Sequence, residues 1–267
     1  MLDTPRRLWA AAATCIAAFV ILLAVVYTTD RGAAADERAL EGFGELQRPR
    51  LAEIADAIAH AADPVPFALL SAVVVAIAFL RGRPLLGLAV GGLLLGANVT
   101  TQILKPVLAN PRGTFGEYGV ATEAFPSGHA TAAMSLALAA IVVAPARLRP
   151  LVGFIAAGFA LAVGFAIVSL DWHFPSDVAG GYLVAAGWCF AVLGVTRSAR
   201  DEEPLAWWIA GAAMLVPLVV AGWLALERLP RLTGYAEGHT TFAVVAAATA
   251  ALVAVLVGAV LAVPGRR

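Results

Sequence analysis

Three short polar segments contain side chains that could bind an anion and transfer protons. The first holds Lys105, the single lysine of the sequence, and Arg112 seven residues later. In an unbroken helix these cations would share one face about 10 Å apart, but Pro106 and Pro111 predict a broken or turned segment. In either geometry both cations can point at one anion. Basic residues at the end of an apolar segment also commonly extend to a membrane interface, and that reading stays open.

The second segment, Pro126-Ser127-Gly128-His129, opens a long apolar run. Ser127 is a typical helix N-cap, and Gly128 lets a ligand approach free backbone N–H groups at the positive end of the helix dipole. Such a helix start binds phosphate well. An ordinary serine cap followed by an interfacial histidine is the alternative.

The third segment, His173-Phe174-Pro175-Ser176-Asp177, opens another apolar run. A His and an Asp four residues apart can meet on one side of a turn. A carboxylate bonded to one ring nitrogen fixes the tautomer and raises the basicity of the other nitrogen, as in an activated histidine nucleophile or base. A helix cap by Ser176 or Asp177 with a headgroup-binding His173 is the alternative.

The composition predicts that lipid surrounds most of the chain. Of 267 residues, 61% are hydrophobic and 13% are charged, and the mean hydropathy is +0.86. A soluble domain is normally about 25% charged. The formal net charge is zero and the sequence has no Lys/Arg-rich block, which argues against nucleic-acid binding. Cys15 and Cys189 lie in apolar runs and form neither a disulfide framework nor a zinc motif.

Apolar runs of about 20 residues can cross the hydrocarbon as helices. The sequence predicts an all-α bundle of about eight transmembrane helices, including a first span rather than a cleaved signal peptide. The predicted spans cover approximately 8–28, 65–80, 84–104, 129–146, 150–170, 177–196, 205–226 and 241–263.

The short loops predict the orientation. With a cytoplasmic amino terminus, every inner segment carries a basic pair, so the positive-inside rule favours both termini in the cytoplasm. All three polar segments then face the extracytoplasmic side, where most acidic residues also lie. Residues 29–64 contain Leu51, Ile54, Ala55 and Ile58 at helical spacing, which predicts one or two amphipathic helices on the outer surface; a cap over the loops is equally compatible.

The order and spacing of the three segments resemble the signature of the type 2 phosphatidic acid phosphatase family of lipid phosphatases, which also includes relatives of the vanadium haloperoxidases. The resemblance covers roughly residues 8–196. It implies a six-span phosphatase-like core over 1–196, with 29–64 as its outer amphipathic segment, and two additional spans over 197–267.

The resemblance implies a role for each matching residue. His173 would attack phosphorus and form a phosphohistidine, with Asp177 orienting its ring, and His129 would be the general acid and base. Lys105, Arg112, Ser127 and the Gly128 N–H would bind the phosphoryl oxygens. No metal or other cofactor is expected.

The sequence departs from the family pattern in two ways. The family has Ser-Arg where this chain has Ala166 and Ile167, so one expected phosphate-binding cation is absent from that position. Gly113 replaces the usual proline after the first-motif arginine. An outer arginine could supply the charge from another loop, the candidates being Arg31, Arg48, Arg50, Arg228 and Arg231.

The sequence is compatible with three functions. The first is a lipid phosphatase at the outer face, acting on phosphatidate, phosphatidylglycerol phosphate or a polyprenyl diphosphate. The second, motivated by Ile167, is a degenerate member that binds a lipid phosphate without turnover or transfers the phosphoryl group to another acceptor. The third is a small-solute transporter, for which ionisable residues at mid-span are expected and almost none are found. The sequence predicts neither the particular lipid nor the oligomeric state.

Overall fold

The computed structural model describes residues 4–110, 120–197 and 229–263. These ranges are helical with short connections and contain no strand, so the predicted all-α fold is confirmed. A 3-10 turn at Ala146–Leu148 precedes the seventh helix. The helices are α1 (Pro5–Thr28), α2 (Asp30–Gly44), α3 (Pro49–His60), α4 (Pro64–Leu80), α5 (Pro84–Val107), α6 (Gly128–Val143), α7 (Arg149–Ser169), α8 (Pro175–Arg197), α9 (Leu229–Gly238) and α10 (Thr240–Leu261).

Proline and threonine define several of the helix starts. Five helices begin with proline, which costs little there because the first N–H of a helix has no intrahelical partner. Thr29 adopts an extended conformation that ends α1, and its side chain then caps α2 by accepting a hydrogen bond from Gly32 N at 3.0 Å. The chain therefore turns from α1 into α2 without an intervening loop.

Five of the described helices are long and apolar enough to cross a membrane, and the bent pair α3–α4 makes a sixth if it counts as one span. The multi-pass prediction is confirmed, but the described ranges do not reach the predicted eight. The predicted span 129–146 is the 16-residue helix α6, which is shorter than a typical span. The predicted span 205–226 lies outside the described residues.

Helices α6 and α8 form the centre of the bundle. Nearly every residue of α6 is buried, because the helix is apolar all round and packs against α4, α5, α7 and α8. Helix α8 packs against α1, α5 and α6. Both central helices begin at the same end of the bundle, since the backbone N of Ser127 donates to the carbonyl of Asp177 at 2.9 Å.

The segment 29–64 forms two helices with different surroundings. Helix α2 packs against α1, α7 and α10 and buries Leu40 and Phe43, so it caps the bundle and is not a free surface helix. Helix α3 lies along α7 but leaves Leu51 and Ile54 more than half exposed. Helix α2 is therefore a cap over the bundle, and helix α3 is the amphipathic surface helix.

Helix α10 packs directly on the core through α2 and α7. The rings of Phe43 and Phe242 meet edge to face with centroids 4.8 Å apart, next to Gly42. Tyr235 of α9 donates a hydrogen bond to the carbonyl of Gly42 at 2.6 Å. Helix α10 thus supports the cap helix α2. The division into a core over 1–196 and two additional spans over 197–267 remains a prediction.

Arginines collect at the end of the bundle opposite to the starts of α6 and α8. Arg81 donates to Val143 O at 3.0 Å, and Arg149 donates to Val142 O at 3.3 Å and to Val263 O at 3.1 Å. Cations are favourable at helix C-termini, where carbonyl groups lack intrahelical donors. These arginines belong to the segments that the sequence predicts to be cytoplasmic.

The chain leaves the helix shortly after Pro106, so the predicted break in this segment is found. Helix α5 continues through this proline and ends one residue later, at Val107. The break falls after Pro106, where Leu108 leaves the helical conformation and its carbonyl accepts a hydrogen bond from Tyr27 of α1 at 2.8 Å. Lys105 therefore lies in the last turn of a regular helix.

Candidate active site

The start of α8 holds the His173–Asp177 pair that the spacing predicted. Asp177 is fully buried, and its Oδ2 atom lies 3.4 Å from His173 Nδ1. The same oxygen accepts a hydrogen bond from Phe174 N at 3.0 Å, as in the reciprocal half of a capping box. Because the carboxylate faces Nδ1, the pair favours the tautomer in which Nε2 is the basic nitrogen of His173.

The turn before α8 brings His173 back towards the bundle. Asp171 adopts a left-handed conformation with φ 58°, which aspartate tolerates better than most residues. Trp172 N then donates to the carbonyl of Ile167 at 3.0 Å, so the turn is fixed to the end of α7. Burial raises the pKa of Asp171.

The start of α6 lies beside the start of α8. Ser127 is fully buried, and its side chain caps α6 by accepting from Ala130 N at 3.3 Å. Gly181 makes this proximity of the helices feasible, because a Cβ atom there would lie 2.7 Å from Ser127 O and 2.9 Å from Thr131 Oγ1. The predicted anion-binding helix start and the His–Asp pair are therefore neighbours.

His129 and His173 approach each other across this end of the bundle. Their ring centroids are 6.4 Å apart, which is close enough for both rings to contact one phosphoryl group. The Nε2 atom of His129 lies 3.0 Å from Asp63 Oδ1, and its ring centroid is 5.6 Å from that of Trp172. The two histidines thus lie at the starts of different helices, His129 within α6 and His173 just before α8, and each has its own carboxylate partner.

Lys105 approaches the same place from the end of α5. A Cβ atom on Gly128 would lie 3.9 Å from Lys105 Nζ, so the ammonium group is adjacent to the start of α6. Lys105 is half-buried, and it interacts electrostatically with Asp177 and with His129. Five of the predicted side chains or backbone groups, together with the carboxylate of Asp177, therefore gather in one region: Lys105, Ser127, Gly128, His129 and His173.

The remaining predicted cation, Arg112, lies outside the described residues. Ile167, at the position of the family arginine, is fully buried in the hydrophobic core. Among the outer arginines proposed as substitutes, Arg31, Arg48 and Arg50 are exposed. Arg228 lies outside the described residues, as does the side chain of Arg231. Within the ranges that are described, Lys105 is the cation adjacent to the helix starts.

A second buried carboxylate fixes the start of α8. Asp36 of the cap helix α2 accepts hydrogen bonds from the backbone N of Ser176, at 3.0 Å, and from the Ser176 hydroxyl. A carboxylate at a helix N-terminus is favourable because the first N–H groups lack intrahelical acceptors and the dipole is positive. Asp36 thus joins the cap to the helix that carries Asp177.

Sequence reasoning missed Asp36, Asp63 and Trp172. All three lie in the segments predicted to be outside the membrane, where acidic and aromatic residues are common. Asp63 directly precedes Pro64 and would ordinarily be interpreted as a helix cap. Within residues 4–110, 120–197 and 229–263, no group of three or more His, Cys, Asp and Glu side chains is arranged to hold a metal ion.

The fold and the candidate active site define a class of protein. It is an all-helical membrane protein with two histidines at the N-terminal ends of two central helices. Residues 82–201 match the family model described as the PAP2 superfamily. The matched residues contain all three polar segments, so this finding agrees with the resemblance drawn from the motifs.

A solved structure has the same fold. It is described as the crystal structure of the first transmembrane PAP2 type phosphatidylglycerolphosphate phosphatase from Bacillus subtilis. The TM-score is 0.63 at 24% identity, and the similarity covers 72% of this chain and 99% of that chain. No curated protein matches the chain significantly.

The contact between Asp36 and Ser176 is tested by replacing Asp36 with asparagine or alanine. We expect Asp36→Ala to lower the free energy of unfolding by about 1.5–3 kcal/mol, the usual value of a hydrogen bond to a charged group, and Asp36→Asn to lower it by less. Hydrogen exchange measured by mass spectrometry should become faster at the backbone amides of residues 174–178. Asp30→Asn, at an exposed acidic residue of the same helix, is the matched control. Unchanged exchange in Asp36→Ala would mean that the cap does not hold α8.

Proposed function

We propose that this chain is a membrane lipid phosphatase that hydrolyses a phosphate ester or diphosphate of a lipid through a phosphohistidine. The single observation that carries the proposal is the approach of the His129 and His173 rings to 6.4 Å beside two helix N-termini. A nucleophile and a general acid must flank the same phosphorus atom for this reaction. The match of residues 82–201 to the PAP2 superfamily model supports the same proposal.

In the first step, Nε2 of His173 attacks phosphorus and forms an N–P bond while the P–O bond to the lipid breaks. His129 in its protonated form donates a proton to the departing oxygen, so the lipid leaves as an alcohol or, for a diphosphate, as a monophosphate. Asp177 holds the ring of His173 and stabilises the positive charge that develops on it. The buried position of Asp177 keeps this interaction free of competition from water.

In the second step, a water molecule attacks the phosphohistidine. His129, now neutral, takes a proton from this water as the new P–O bond forms and the N–P bond breaks. Inorganic phosphate leaves, and both imidazoles return to their starting protonation states. One residue therefore serves as acid in the first step and as base in the second.

Lys105, the Ser127 hydroxyl and the backbone N–H of Gly128 would stabilise the negative charge on the phosphoryl oxygens. The Ser127 and Gly128 groups are held at the start of α6, and donors that are fixed before the substrate arrives lower a barrier most. Arg112 would join them on the basis of the family motif. The proposal assigns no step to a metal ion.

Ile167 removes one family cation, which would lower the rate about a hundredfold to a thousandfold if nothing replaced it. Enzymes accelerate phosphate monoester hydrolysis by up to about 10²¹-fold, so a useful rate can survive that loss. The same observation favours a second candidate function. In that alternative the chain binds a lipid phosphate without turnover, or transfers the phosphoryl group to an acceptor other than water.

An apolar groove supports a lipid as the substrate. It has a volume of about 620 Å³ and lies between α1, α5 and α8. Its lining includes Ile16 and Val20 of α1, Leu183 and Trp188 of α8, and Leu104, the neighbour of Lys105 in the sequence. An acyl or prenyl chain lying in this groove would leave its phosphate near Lys105. Phosphatidate, phosphatidylglycerol phosphate and a polyprenyl diphosphate all fit this description.

The arginine positions favour one orientation of the chain in the membrane. The arginines Arg81 and Arg149 bind helix ends opposite the histidines, and the positive-inside rule assigns such residues to the cytoplasm. Both termini would then be cytoplasmic, and the histidines would face the extracytoplasmic side. A small-solute transporter remains the third alternative.

Replacing His173 tests the reaction. We expect the purified chain to release phosphate from at least one of the three lipids in the presence of a metal chelator, and His173→Ala to abolish release because the nucleophile is gone. His239→Ala is the matched control, since His239 contacts Glu45 of the cap and not the region of Lys105 and His129. Equal release by His173→Ala would reject the nucleophile. Lipid binding without release by the unmodified chain would favour the second function, and solute uptake into liposomes without release would favour a transporter.

Filling the groove tests the lipid chain. Ile16→Trp should reduce kcat/KM for a long-chain phosphatidate at least about tenfold, since about two methylene groups of 0.8 kcal/mol each would lose their contacts. A dibutanoyl phosphatidate should be affected less than about twofold. Ile21→Trp is the matched control, because Ile21 is also 63% exposed on α1 but does not line the groove. Equal effects of Ile16→Trp on both substrates would contradict the assignment of the groove.

A further inference from the structure

Asp63 occupies the position of a helix cap but does not act as one. It directly precedes α4 in an extended conformation, and its side chain makes no capping hydrogen bond to that helix. The carboxylate instead reaches a residue 66 positions later, where Oδ1 lies 3.0 Å from His129 Nε2. Aspartate in this position normally bonds the first N–H groups of its own helix. Asp63 thus contacts a distant residue instead of making the local capping bond, and such a departure from local preference is typical of functional residues.

The surroundings of His129 restrict its ring on several sides. Trp172 lies between two imidazoles, with its ring centroid 5.6 Å from that of His129 and 5.7 Å from that of His60. The charged groups that face His129 are Asp63, His173 and Lys105. Asp63 is therefore the carboxylate that contacts this ring, as Asp177 is for His173.

A second imidazole extends the contact towards the surface. Asp63 Oδ2 lies 4.0 Å from His60 Nε2, and His60 Nδ1 lies 2.8 Å from the carbonyl oxygen of Asp56. The side chain of His60 is 51% exposed, that of Asp63 34% and that of His129 26%. Asp63 thus lies between a surface histidine and the histidine that approaches His173.

We propose that Asp63 is a positioning residue for His129, an inference that rests on the proposed function. By accepting a hydrogen bond from Nε2, the carboxylate fixes the orientation and tautomer of the ring and leaves Nδ1 as the nitrogen that exchanges a proton with the departing oxygen and with water. It also stabilises the imidazolium form that donates this proton. Two His–Asp pairs then serve the reaction, one for the nucleophile and one for the acid and base.

The test compares two substrates that differ in the need for a general acid. The alcohol of dioctanoyl phosphatidate leaves poorly without a proton, whereas the nitrophenolate of 4-nitrophenyl phosphate leaves readily. Because kcat/KM includes steps only up to the release of this group, Asp63→Asn in the full chain should lower kcat/KM for phosphatidate about 10- to 100-fold, which is part of the usual contribution of about 10²- to 10⁴-fold by a general acid. For 4-nitrophenyl phosphate the decrease should be less than about threefold.

Three further variants make the assignment specific. Asp63→Asn should have no additional effect in a His129→Ala background, because the carboxylate acts through that ring. Asp56→Asn is the matched control, since Asp56 contacts His60 and not His129, and we expect it to change kcat/KM less than twofold. Asp63→Glu should recover part of the phosphatidate activity.

Several outcomes would overturn the inference. Equal losses on both substrates would indicate a purely structural role, and a gain in activity would indicate that Asp63 restrains His129. An undiminished effect of Asp63→Asn in the His129→Ala background would mean that Asp63 acts by another route. If the unmodified chain releases phosphate from neither substrate, the proposed function fails, and the role of Asp63 fails with it.

Discussion

The arrangement of the site depends on the contact between the N-termini of α6 and α8. One backbone hydrogen bond, from Ser127 N to Asp177 O at 2.9 Å, joins the two helices, and Gly181 provides the space for it. Both helix dipoles then point their positive ends at one region, next to Lys105. An anion in that region meets N–H groups and a cation in surroundings of low dielectric constant, where electrostatic interactions are stronger than in water.

Several of the surrounding helices make hydrogen bonds to residues of this region. Asp36 of α2 binds the start of α8, Asp63 at the start of α4 binds His129, and Tyr27 of α1 binds the carbonyl that follows α5. Helix α10 in turn packs against α2. Elements far apart in the sequence therefore each contact one component of the site.

The sequence predicted the elements and motifs of the centre better than the contacts between them. Apolar runs predicted the helices because a span has to satisfy its backbone internally, and the His173–Asp177 spacing is a local property of a helix start. The long-range contacts of Asp36 and Asp63 could not be predicted, since a single carboxylate before a helix has the same local signal whether it caps that helix or reaches another. The prolines predicted a break after Lys105, but not its exact place: the helix continues through Pro106, whose missing N–H costs one hydrogen bond, and ends at Val107. The sequence shows that Ile167 replaces the arginine of the family pattern, but its complete burial could not be predicted because it depends on the packing of α7.

The most direct measurement for the account is to trap the covalent intermediate. The full chain would be mixed with a lipid phosphate, quenched in alkali, digested and analysed by mass spectrometry, since phosphohistidine survives alkali and is lost in acid. The account predicts a phosphoryl group on His173, and its accumulation in a His129→Ala variant when an activated aryl phosphate is the donor. Phosphate release with no modified His173 peptide, or a phosphoryl group on another residue, would contradict it.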